Sequence, residues 1–172
     1  MNSGTPRFPR LLTELLLLAG LGLGLVSCQA PKPAAAPFEP LVARFFIEAR
    51  GTEGARVVTL PQSEVVISVE PKPVVMEFDI TDAEVAEVPL GRCLLFRLTT
   101  AAARDLYRLT GGAQGRRLVL ALNDRVIGAR KIDRPLEEGV ILVFVEMPDS
   151  ELPGVVDRLK KTSAEVRKKL AR

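Results

Sequence analysis

The chain contains no histidine and no tryptophan among its 172 residues. Without histidine it lacks the side chain whose unperturbed pKa lies nearest neutrality, and also the commonest transition-metal ligand. No nucleophile–base pair or ligand cluster can be read along the chain, so the sequence argues against an enzyme and against a bound cofactor or metal. Aromatic residues make up only 5%, too few for a platform on which bases or sugars would stack. The one long apolar run, Leu15 to Val26, would form only ~18 Å of helix against a ~30 Å hydrocarbon core, so a spanning helix is not expected. Charge of one sign is also scarce. The formal net is +3, and removing a leader with two arginines and one glutamate leaves +2. That is too weak and too interspersed to argue for a nucleic-acid partner.

What is present begins with an export signal over residues 1–27. Arg7 and Arg10 give the positive start, and Leu15 to Val26 gives an apolar core of signal length. The run ends in Leu25-Val26-Ser27-Cys28, which resembles the bacterial lipobox, although Glu14 just before the run departs from a usual leader. The resemblance implies cleavage between Ser27 and Cys28, a diacylglycerol thioether on Cys28, and acylation of the new amine, palmitate being a common chain. The other reading is an ordinary secretory signal with an incidental Cys28. Gln29, not Asp, follows the cysteine. In a cell with two membranes this implies the outer membrane, facing the periplasm. Residues 28–40 then form a tether: four prolines within Ala30 to Pro40 favour extended geometry with a reach of roughly 30 Å.

Residues 41–172 are expected to form one α+β domain, long enough to bury roughly two-thirds of the extended chain's surface. From Val42 to Arg50, Ala43, Phe45, Ile47 and Ala49 alternate with Arg44, Phe46, Glu48 and Arg50, the pattern of a half-buried strand. Arg56 to Leu60 and Val65 to Val69 read as strands, and Val74 to Phe78 as a late or edge strand. Asp79 to Val85 reads as a polar turn, with a helical turn capped by Thr81 or Asp82. Leu94 to Val145 carries the densest signals: a strand, a helix capped by Thr99 or Thr100, a stop at Gly111-Gly112 through positive φ, and a hairpin over Asn123-Asp124. Val140 to Val145, apolar at every position, reads as a central covered strand. A final helix from Asp149 groups Leu152, Val155, Val156 and Leu159, continued by Val166 and Leu170. The expected architecture is an antiparallel or mixed sheet with two helices on one face.

From Val75 to Leu159 the chain resembles the head of the first periplasmic domain of SecD, a protein-export membrane protein. The matching marks are Asp79-Ile80 with Ala83 to Val85, Leu98-Thr99, then Ala103, Leu106 and Thr110, Gly115, Val126, Ile127 and Ala129, and finally Ile132 and Gly139. Arg130 stands where the family usually has proline. The resemblance implies an extracytoplasmic head without the six membrane helices of SecD, and contact with extended or exported polypeptide. Strand addition at a sheet edge, or a helix–sheet groove, is the expected mode.

Three further features remain. Cys93, between apolar neighbours, reads as a small buried hydrophobe before it reads as a redox thiol. Glu77, Asp79, Asp82, Glu84 and Glu87 match no calcium loop and read as a solvated face. The final helix carries Lys160, Lys161, Arg167, Lys168 and Lys169. These offset the helix dipole, and they also make a surface that an adaptor could use against a partner or a membrane.

Overall fold

The computed structural model describes residues 39–170. The expected leader and most of the expected tether, including Ser27 and Cys28, lie outside the described residues. Among the described residues there are eight strands: β1 (Ala43–Ile47), β2 (Arg56–Thr59), β3 (Val66–Val69), β4 (Ile80–Val88), β5 (Gly91–Leu98), β6 (Arg117–Leu122), β7 (Arg125–Lys131) and β8 (Val140–Val143). Two helices, α1 (Thr100–Gly111) and α2 (Leu152–Leu170), complete the α+β fold.

All strand pairing is antiparallel, in the orders β1-β6-β7, β4-β5-β8 and β2-β3. Short bridges join these sheets. Gly128 of β7 meets Val145 just beyond β8, with Glu146 N–H donating to Ile127 O at 2.7 Å. A Cβ at Gly128 would collide with the Phe144 carbonyl, so glycine is what allows this approach. On the far side, Ala49 N–H donates to Ser68 O at 2.8 Å and Glu70 N–H to Ile47 O at 2.9 Å. These bonds hang the β2–β3 hairpin on the end of β1.

The principal core lies between the inner sheet faces and both helices. Phe45 of β1 meets Phe96 of β5 edge-to-face, with centroids 5.1 Å apart, a pair that adds about 1 kcal/mol beyond its burial. Leu106 of α1 and Leu152, Val156 and Leu159 of α2 close the same cluster. Two buried threonines serve parallel roles. Thr110 Oγ donates to Leu106 O at 2.7 Å and accepts Leu136 N–H at 2.9 Å. Thr162 Oγ donates to Arg158 O at 2.9 Å and accepts Leu41 N–H at 2.9 Å. Each hydroxyl satisfies itself on its own helix and ties down a distant segment.

Thr99 caps α1 by accepting Ala102 N–H at 3.3 Å, and Asn123 and Asp124 take φ of 46° and 65° in the β6–β7 turn. Elsewhere the structure departs from the expectation. Asp79 to Val85 is no turn: β4 is a nine-residue strand. The three-residue spacing of buried Ile80 and Ala83 looks helical, but a register shift between Ile80 and Asp82 produces it. The single tight turn comes earlier, at Glu77–Asp79, and replaces the strand expected over Val74 to Phe78, of which one bridge from Val75 to Phe45 remains. Phe46 points to the opposite sheet face from Phe45 yet is 3% exposed, because the β2–β3 hairpin covers that face with Ile67, Val69 and Leu60. β8 is the last strand of its sheet, not a central one, and Phe144 just beyond it is 43% exposed. Gly112 keeps φ at −94°; the first positive φ after α1 is at Gly115. Leu170 is exposed instead of continuing the buried face of α2, whose lower part is Thr162 and Ser163.

Candidate functional site

The β2–β3 hairpin ends in a turn at Pro61 to Glu64, with Glu64 at φ 56°. Glu146 anchors that turn: its carboxylate accepts Gln62 N–H at 2.7 Å, Ser63 N–H at 3.0 Å and the Ser63 hydroxyl. Burial works against the carboxylate's charge, but these donors prevail and hold its pKa below the ordinary value. Leu60 N–H donates to Val65 O at 3.0 Å, and Leu60 and Val65 continue the β2–β3 register. In an antiparallel ladder the bonding residues alternate, so Val58 and Arg56 also turn their backbone groups toward β3. The N–H and C=O of Val57 and Thr59 therefore face away from it. Among the described residues nothing hydrogen-bonds to them. Their side chains share the outer hairpin face with Val66. Val57 is 65% exposed and Val66 60%. The only charge on β2, the Arg56 guanidinium, lies 4.7 Å from the centroid of the Phe46 ring of β1 and is drawn back onto the neighbouring sheet.

β4 is the other edge, and it is guarded. Besides its bulge it carries Asp82, whose carboxylate accepts Ala83 N–H at 2.9 Å and lies 3.6 Å from Lys160 Nζ. Glu84 pairs with Arg97 at 2.8 Å, and α2 packs along this strand. The carboxylates from Glu77 to Glu87 thus do not converge. Glu77 faces Arg44 at 3.1 Å, and its hydrogen bond from Arg44 lowers its pKa despite some burial. Asp79 accepts Met76 N–H at 2.9 Å. Among the described residues no three such groups gather as a metal site.

Cys93 is 0% exposed, its Sγ lies 3.7 Å from Ala86 O, and burial raises its pKa, so it is a poor thiolate. Arg130 lies across the outer face of β8, donating to Leu142 O at 3.3 Å, and burial lowers its pKa. Arg117 holds Glu48 through two side-chain bonds, at 2.8 and 3.0 Å. That pairing keeps the Glu48 pKa below normal and welds β1 to β6. Lys160, Lys161, Arg167, Lys168 and Lys169 are all exposed on α2. No described helix is long and apolar enough to cross a membrane. Sequence reasoning expected a sheet edge without saying which; the usable signal was a valine pair in β2 with no lysine, proline or bulge beside it.

No family model matches the chain, and no curated protein matches it. Solved structures that resemble it include two of SecDF. One is the crystal structure of SecDF in a super-membrane-facing form, at TM-score 0.55 and 21% identity, covering 69% of this chain and 18% of that one. The other is SecDF described as a membrane component that enhances protein export, at TM-score 0.56 and 16% identity, covering 75% of this chain and 70% of that one. This chain therefore resembles in fold the periplasmic domain of SecD, and spans less than a fifth of the longer SecDF chain.

Proposed function

We propose that this protein is an extracytoplasmic, non-enzymatic binding module, held to a bilayer by an acylated Cys28, that takes up extended polypeptide by strand addition on β2. In a cell with two membranes it sits on the outer membrane facing the periplasm. Its clients are exported chains or envelope proteins in extended form, and the likeness to SecDF supports a role near protein export. The observation that carries the reading is the outward backbone of Val57 and Thr59 beside exposed Val57 and Val66. A row of unpaired N–H and C=O groups at strand spacing is complementary to another strand. Four such bonds at about 1 kcal/mol net correspond to roughly millimolar affinity. That suits brief contacts with a chain in transit, and confinement at a membrane would compensate for the weakness.

A photo-crosslinking residue at Thr59, with another at Glu87 on β4, tests this in growing cells. Capture of many exported chains from position 59 and few from 87 is the expected result. Equal capture from both positions, or one stoichiometric partner at 59, would overturn it.

A further inference from the structure

We infer that the basic face of α2 docks on the anionic headgroups of a lipid bilayer and sets the orientation of the domain there. This is a second surface, independent of polypeptide binding at β2. Lys160 and Arg167, and likewise Lys161 and Lys168, recur at seven-residue spacing and so share one side of the helix. Lys160 lies near Asp82, whereas Lys161, Arg167, Lys168 and Lys169 have no carboxylate in pairing distance among the described residues. Asp157 and Glu165 are the carboxylates of this helix, so the face stays net positive. The helix dipole accounts for cations in the last turn, which are Arg167, Lys168 and Lys169. It does not account for Lys161, which lies about two and a half turns before the helix end at Leu170, with Asp157 and Glu165 four residues to either side.

The second observation is where the chain enters the domain. Leu41 N–H donates to Thr162 Oγ at 2.9 Å, so the start of the described domain is held against the middle of α2, at the residue that follows Lys161. The proline-rich sequence of residues 28–40 implies a reach of roughly 30 Å, so attachment of Cys28 to a bilayer would keep the domain within that distance of it. Beyond half-buried Val166 the helix also loses its cover, Leu170 being 67% exposed. The last turns thus stand clear of the core while carrying most of the unpaired cations. Each lysine held near a negatively charged surface strengthens partition about fivefold, and that gain shrinks as salt shortens the Debye length.

The test reconstitutes the full chain with vesicles of phosphatidylcholine alone or mixed with phosphatidylglycerol, and reads flotation together with tryptic cleavage after Lys161 and Lys168. The expected result is protection of both sites on the anionic vesicles only, reversed by salt. Lys161→Gln with Lys168→Gln, two exposed positions, should retain the unfolding midpoint. Against a dye-labelled headgroup it should lose about tenfold or more of the salt-sensitive contact. Flotation with both vesicle types but no difference in protection overturns the docking while leaving the lipid anchor intact. Flotation with anionic vesicles alone removes the anchor but upholds the docking, and flotation with neither overturns both.

Discussion

The two ends of the strand array answer the same physical problem differently. An edge strand presents unpaired backbone groups, and proteins usually blunt it with charge, bulges or a covering element. β4 uses all three: the Ile80/Asp82 register shift, the Asp82 carboxylate on Ala83 N–H, and α2 alongside. β2 uses none. Its arginine is turned onto Phe46, and its outward groups flank an exposed valine. A protein that guards one edge this thoroughly and leaves the other open has a surface whose exposure calls for a use.

The comparison breaks most severely at Gly128. Gly128→Ala drives a methyl group into the Phe144 carbonyl, separates β7 from the β8 end, and creates additional open edges. We expect a loss of roughly 2–3 kcal/mol in urea unfolding, with increased aggregation. At β2 itself, Val57→Pro removes an outward N–H without touching the β2–β3 ladder. Peptide affinity should fall about tenfold while the unfolding midpoint moves little. Val58→Pro, one residue along, should instead cost about 3 kcal/mol of stability.

A smaller effect concerns the weld between β1 and β6, on which the hairpin hangs. Bonding to Arg117 depresses the Glu48 pKa, so its stabilisation is complete above the unfolded carboxylate pKa and is lost as pH falls through the folded value. Urea unfolding from neutral to acidic pH should show that loss, and Glu48→Gln should flatten it by about 1 kcal/mol. Smallest of all, Asp82→Asn uncouples Lys160 and weakens the cap on Ala83. Stability should change by no more than about 0.5 kcal/mol, while β4 gains measurable peptide binding.

Local chemistry was legible in the sequence; long-range cover was not. Asn123-Asp124 and the Thr99 cap depend only on neighbouring backbone, and both stand as read. Phe46 was misassigned to solvent because its cover comes from Ile67 and Val69, brought back by a hairpin no local pattern specifies. Val140 to Val145 looked central because every residue is apolar, yet β8 is the last strand of its sheet, and its Leu142 carbonyl accepts from the Arg130 side chain of β7 instead of from a further strand. β4 was misread because a bulge shifts a two-residue period toward a helical one. The basic residues of α2 were visible, but their nearness to the start of the domain depended on Thr162, which sequence reasoning passed over. An open edge is likewise defined by what fails to pair with it, and a linear reading does not contain that.

The most direct test of the open edge is amide hydrogen exchange at Val57 and Thr59, with and without a saturating unfolded, exported-type polypeptide. The account predicts that both amides slow on addition while Val85 and Glu87 of β4 exchange as before. Unchanged exchange at Val57 and Thr59, or slowing confined to β4, would contradict it.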